Sequence, residues 1–369
     1  MNRLFRWDQM GLFLLALAAG ILPFAVPEVC AAALREGLTL CSGPLLLSLF
    51  PFLVVSRLLI QCPESDLLAL PFRLAAWGIG IRTPCAARVL CIGFLGGFAP
   101  AASAAAQAVR TGQLTVEEAD ALLPACICSG PSFVVLTVGQ SLLGSAELGV
   151  LLFASQITAN YLTAALLNRF AGVRSVKPGS AAPASPAPPR LDEILADAAI
   201  TYCKLCGFIL FFRMLAAGAG ALLPAGAGTL CAILLEVCSG CDLASRTGRW
   251  GSLLCCAALS VQGLSVLLQV RTICPPEMTL RPLYRSRMLH LPLSLALFYL
   301  LLPGGEADVF STLPARVLLM RRVPPDCALL VFAVCCMAAC TLRSGIRQVE
   351  QKQMARNAGG CCINSKTLL

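Results

Sequence analysis

Hydrophobic positions in this chain fall in long unbroken runs, separated by short stretches rich in glycine, proline or basic residues. A helix needs ~20 apolar residues to cross a bilayer. Runs at 10–26 and 38–60 approach or meet that length, the second bent at Pro44 and Pro51. Those at 67–80 and 85–98 are shorter and broken by glycine and proline, which predicts segments that dip into the membrane without crossing. Further runs cover 131–143, 147–170, 198–223, 251–270, 288–302 and 327–342, whereas 228–237 is too short to cross. The reading is roughly eight to ten crossings. None of the runs shows the period-2 alternation of a barrel strand. In lipid the backbone must then satisfy itself within helices. The expected fold class is an all-α, polytopic integral membrane protein.

Composition strengthens that reading: 58% of the 369 residues are hydrophobic and 13% charged, about half the charge of an ordinary soluble domain. One stretch differs. Residues 171–190 (AGVRSVKPGSAAPASPAPPR) are proline-, alanine- and serine-rich and cannot bury a core, which makes them a linker. It divides the chain into a membrane half at 1–170 and another at 191–345, followed by a basic tail at 346–369. Arg169, Arg174, Lys177 and Arg190 place the linker in the cytoplasm by the positive-inside rule. Arg3 and Arg6 do the same for the N-terminus, and Arg343, Arg347, Lys352 and Arg356 for the tail. Arg316, Arg321 and Arg322 make both flanks of the last run basic, so its direction is open. The first run also has the look of a signal peptide. A second apolar run soon follows it, with no exported soluble domain, and a retained helix is expected.

Several chemistries are disfavoured. The net charge of +9 is spread over loops and flanks, not gathered into a nucleic-acid-binding face. Of 21 cysteines, Cys203/Cys206 and Cys238/Cys241 have metal-ligand spacing, but they stand in apolar surroundings where a thiol behaves as a small hydrophobe. His290 is the single histidine, expected to cap or snorkel at a basic helix end. Thr115 and Glu118 form a capping-box pattern, which accounts for the acidic cluster Glu117, Glu118 and Asp120 without catalysis. No cofactor, metal site or enzymatic activity is expected.

The two halves echo each other. PFLVVSRLL (51–59) stands against GFILFFRML (207–215), which matches Arg57 to Arg213. GGFAPAASAAAQ (96–107) stands against LEVCSGCDLAS (235–245), and CSGPSFVVLTVG (128–139) against SVQGLSVLLQV (260–270). The shared order predicts two pseudo-symmetric repeats with broken or re-entrant helices, the best sequence pointer to a transporter site. The same small residues also serve close helix packing. Glu236, in an apolar run with no basic residue within four positions, implies a buried partner or ligand. The tips at 96–103 and 235–242 are expected to face one another near the midplane. Arg57 and Arg213 are expected to reach one cavity, or else to pair with Glu236 or Asp242.

FLGGFAP (94–100), GQLTVEEADALLPACICSGPSF (112–133), LLEVCSG (234–240) and GLSVLLQV (263–270) occur in this order. In that succession the chain resembles the YlbJ family of sporulation integral membrane proteins, which carry two nucleoside-recognition, or Gate, segments. The resemblance covers roughly residues 45 to 300. It implies a fold related to the Gate segments of concentrative nucleoside transporters. It further implies a place in a bacterial membrane, the outer forespore membrane, and movement of dipicolinic acid across it. By position it nominates Ser129, Gly130, Pro131, Glu236, Ser239, Gly240, Ser265 and Gln269 for substrate. The chain departs from the family at Ser103, where a lysine is usual. It departs also at Ile127, Cys128 and Ser239, where asparagines are usual, and at Leu267, in place of a histidine.

The function expected is therefore transport of a small organic anion such as dipicolinate, with Arg57 and Arg213 supplying positive charge. A nucleoside-type solute transporter and a non-transporting scaffold for spore assembly are the alternatives. The expected partners are the anion and the lipid bilayer, and a homo-oligomer is compatible with such a chain.

Overall fold

The computed structural model describes residues 2–61, 63–171 and 191–302, which are helical with no strand among the described residues. The apolar run 327–342, the tail 346–369 and most of the linker lie outside them. The first half holds α1 (Asn2–Ala25), α2 (Pro27–Ser42), α3 (Pro44–Gln61), α4 (Leu70–Gly78), α5 (Pro84–Gly96), α6 (Phe98–Arg110) and α7 (Val116–Cys126), then a π-helix (Ser132–Leu142) and α8 (Ala146–Ala171). The second holds α9 (Leu191–Leu222), α10 (Ala225–Leu235), α11 (Val237–Ser245), α12 (Gly251–Val261), α13 (Gly263–Ile273) and α14 (Arg281–Leu301). Four stretches are long and apolar enough to cross a membrane: Pro27–Leu47, Ala146–Ala171, Leu191–Leu222 and Gly248–Ile273. This is a membrane protein.

The run expected as a single helix over 38–60 is divided at Gly43. Pro44 begins α3, where its missing N–H costs nothing, while Pro51 is carried inside the helix. The two helices run antiparallel to α9. Arg213 of α9 pairs with Glu36 of α2, the Tyr202 hydroxyl donates to the Cys41 carbonyl, and Asp197 pairs with Arg57 of α3. The end of α3 and the start of α9 thus lie on one side of the molecule, the linker side, and Asn168 at the end of α8 joins them by donating to the Ile79 carbonyl (2.9 Å) ahead of α5.

Helices α5 and α6 form a hairpin. Arg88, near the start of α5, donates to the carbonyl of Ile60 (2.7 Å) and to Oε1 of Gln113 (2.8 Å), so both hairpin ends stay on the linker side. The expected dip at 85–98 is one arm of it, and alanine-rich 98–110 is the other. Seven alanines of α6 (Ala99, Ala101, Ala102, Ala104, Ala105, Ala106 and Ala108) are fully buried. Their small side chains let α3, α5, α7 and α13 close around this helix.

Helix α7 and the π-helix follow one another with an interruption at 127–131, and α8 returns antiparallel to them. Asn168, in the last turn of α8, donates to the Ala121 carbonyl of α7 (3.1 Å). At the other end α8 and the π-helix meet backbone to backbone: a Cβ on Gly139 would lie 2.4 Å from the Cα of Gly149.

The second half also holds a hairpin, formed by α10 and α11 and packed on the far end of α9. Gly228, at the start of α10, packs on Gly220 at the far end of α9, and Gly240 of α11 packs on Ile233 of α10. The segment 228–237, too short to cross, is an arm of this second hairpin. The run expected as one helix over 251–270 is split at Gln262 and Gly263, both left-handed at φ +67°. Helix α14 starts on the linker side, where Asp120 of α7 caps it. Its carboxylate accepts from Thr279 N (3.0 Å), Thr279 Oγ1 (2.7 Å) and Leu280 N (3.2 Å). The acidic side chain at Asp120 thus has a long-range capping role beyond the local pattern that Thr115 and Glu118 complete.

Candidate functional site

Each hairpin tip touches the break between the two helices that follow it in its own half. At the first tip, Gly97 has φ +81° and ψ −163°, backbone that only glycine adopts comfortably. A Cβ there would sit 2.6 Å from the amide nitrogen of Gly130, so the tip lies directly against Ser129–Pro131. At the second tip, a Cβ on Gly263 would sit 3.0 Å from the amide nitrogen of Glu236. Each tip is thus seated on the interruption of the helix pair that follows it.

Glu236 is 2% exposed and occupies the start of α11. Oε1 accepts from Cys238 N (2.8 Å), and Oε2 from Ser239 N (2.7 Å) and Ser239 Oγ (2.8 Å). A carboxylate at a helix N-terminus meets both the free N–H groups and the positive end of the helix dipole. That is the buried partner its sequence position demanded. Ser239 and Gly240 belong to the same turn. Gln269 and Ser265 lie buried on α13, Nε2 of the glutamine donating to the serine Oγ (2.9 Å), while Gln269 Oε1 finds no partner among the described residues. Ser129 is buried, and Pro131 begins the turn that leads into the π-helix.

The two arginines expected to share a cavity do not. Arg57 bonds Asp197 at 2.5 Å and Thr201 Oγ1 at 3.2 Å. Arg213 bonds Glu36 at 2.7 Å. Asp197 and Arg213 stand sixteen residues apart on α9, about 24 Å at 1.5 Å per residue. Nor do the arginines pair with Glu236 or Asp242: the glutamate caps α11 and the aspartate pairs with Arg246. Local charge neutralisation by nearer carboxylates on antiparallel helices is the physical reason.

A different cation occupies the junction of the halves. Arg287 of α14 is 7% exposed. Its guanidinium donates to Asn160 Oδ1 of α8 (3.0 Å), to Ser286 Oγ (3.3 Å), and at 3.5 Å to the carbonyls of Pro124 and Ser260. Those two carbonyls lie in the last turns of α7 and α12, the helices that lead into the two breaks. Among the described residues no carboxylate lies within ion-pair distance of it. Each helix C-terminus supplies about half a negative charge, worth up to ~2 kcal/mol in buried geometry. Two such ends offset part of the several kcal/mol that burying a guanidinium costs. An anion would complete the compensation.

Asn160 also donates to the Ile127 carbonyl (3.2 Å), satisfying the unwound backbone of the first break. It sits about 21 Å from one end of α8 and about 16 Å from the other, which puts the cluster near the middle of that helix. Gln156, one turn away, donates to Ser260 Oγ (2.9 Å), and His290 Nε2 lies 3.2 Å from the Gln156 carbonyl. His290 is fully buried and neither caps nor snorkels. The hydrophobic pattern conceals this cluster, because each half alone places a few polar residues in an apolar run. Gln156, Asn160 and Thr163 on α8, with Arg287, His290 and Ser294 on α14, recur at three- and four-residue spacing. That polar stripe is the signal by which they are found. No protein-family model, curated protein or solved structure matches the chain.

Proposed function

We propose that the protein moves a small organic anion across the membrane, with α3–α8 and α9–α14 acting as two inverted, pseudo-symmetric repeats of the Gate type. The observation that carries this reading is the pair of hairpins, each with its tip against the break between the two helices that follow it. Irregular backbone at membrane depth persists where protein or a cavity satisfies it, and discontinuous helices at a repeat interface are the hallmark of secondary-transporter sites. Support for an anion comes from Arg287, which is held beside the middle of α8 by neutral oxygens. Support for dipicolinate, spore formation and the outer forespore membrane comes from the resemblance to the YlbJ family. In the reaction cycle one hairpin lifts from its break while the other stays seated, and the anion reaches the guanidinium from alternate sides.

The test is uptake by vesicles containing purified protein, with labelled dipicolinate, a simple dicarboxylate and a nucleoside offered separately. The expected result is saturable, protein-dependent uptake of the anions and none of the nucleoside. Uptake of the nucleoside alone would replace the anion by a neutral solute, and absence of any flux would favour the scaffold.

A further inference from the structure

A second basic site lies at the linker-side edge, away from the breaks. A cavity of about 160 Å³ opens between α3, α6, α9 and α13. Arg57, Arg110 and Lys204 line it against one carboxylate, Asp197, with the hydroxyl residues Ser103 and Thr201 between them. Arg57 is held in place by Asp197 and Thr201, yet its buried Nε has no hydrogen-bond partner among the described residues. Arg110 and Lys204 are exposed at the mouth.

The depth of the cavity follows from α9. That helix has 32 residues, about 48 Å, against ~30 Å of hydrocarbon. Asp192, Glu193, Asp197 and Lys204 all fall in its first fourteen residues, so the excess length projects on the linker side. Asp197 and Lys204 then stand at headgroup level, and Arg57 with them. Beside the cavity, Leu195 and Ile200 of α9 are exposed apolar side chains, a surface that suits an acyl chain.

We infer that this cavity binds the phosphate group of an anionic phospholipid from the linker-side leaflet. The excess of two positive charges selects an anion, the hydroxyls offer donors to phosphate oxygens, and the adjoining apolar face of α9 takes the lipid tail. The site is independent of the transport reading, because none of its lining residues but Ser103, the last of the first tip segment, belongs to the tips or to the Arg287 cluster.

The experiment measures thermal unfolding of the detergent-solubilised full chain against added phosphatidylglycerol, phosphatidylcholine or inorganic phosphate. The variants are Arg110→Gln with Lys204→Gln, and a control with Arg281→Gln and Arg285→Gln, exposed cations outside the cavity. Phosphatidylglycerol should raise the unfolding temperature of the wild type and the control alike. Its apparent affinity should fall about 30-fold when both cavity cations are lost, from the usual contribution of each basic residue at a charged leaflet. Equal loss in the control, or equal shifts with the zwitterionic lipid, would overturn the site. A shift produced by inorganic phosphate alone, and lost with Arg110 and Lys204, would overturn the lipid as occupant.

Discussion

Arg287 and Glu236 illustrate two ways of carrying charge inside this protein. Glu236 is nearly saturated by its own helix, with three donors on two oxygens. Glu236→Ala leaves those N–H groups buried without an acceptor and is expected to lower stability by about 1–2 kcal/mol. Unfolding in detergent checks the cost, and an unchanged midpoint would contradict the cap. Arg287, in contrast, has neutral partners and spare capacity. Arg287→Gln should raise the half-saturating concentration of the anion on the order of 10- to 100-fold, the worth of a charge-assisted hydrogen bond. Insertion into the membrane should hold or improve, since a buried charge is removed. Outside the crossings, burial pushes the Cys274 thiol up to about 12. Its thiolate fraction at pH 8 is thus far below that of a free cysteine near 8.5. Alkylation of Cys274 in the folded protein should be at least 100-fold slower than in the unfolded chain and rise with each unit of pH up to that value. Equal rates would mean that the loop after α13 is open to water.

Breaks in helices were only partly legible in the sequence. The Gly97 tip and the Ser129–Pro131 interruption are written in glycine and proline, and the hydrophobic pattern marked both. The partner arm α6 escaped that pattern because its buried alanines read as weakly apolar: their burial comes from surrounding helices, not from bulk. The split at 262–263 was marked by the match of SVQGLSVLLQV to CSGPSFVVLTVG, although the apolar run over 251–270 reads as continuous and nothing in it signals a left-handed Gln262. Arg57 and Arg213 were legible as paired features, but their carboxylate partners, Asp197 and Glu36, are set by antiparallel packing across 140 and 177 residues of sequence. At this scale Gly97→Ala is the sharpest test. The added methyl meets backbone at Gly130, which cannot rotate away, and the left-handed conformation alone costs ~1–3 kcal/mol. The expected outcome is a folded but destabilised protein with transport reduced more than tenfold. Transport at the wild-type rate would show that the tip does not need its seat.

For the whole molecule, the account requires hairpins that enter from opposite faces. Glu117, beside the turn after α6, and Arg249, beside the turn after α11, are both exposed. In a background lacking other accessible thiols, Glu117→Cys and Arg249→Cys should react with a membrane-impermeant maleimide from opposite sides of oriented vesicles. Labelling of both from one side would make the hairpins parallel and remove the inverted arrangement.

The most direct measurement is anion uptake per inserted molecule in vesicles containing the wild type, Arg287→Gln or Arg57→Gln. The account predicts saturable uptake by the wild type. With Arg287→Gln that uptake survives only at much higher anion concentration. With Arg57→Gln uptake per molecule is unchanged, because Arg57 is engaged by Asp197 at the membrane edge. Uptake that ignores Arg287 and fails with Arg57 would contradict the placement of the anion at the junction of the two broken crossings.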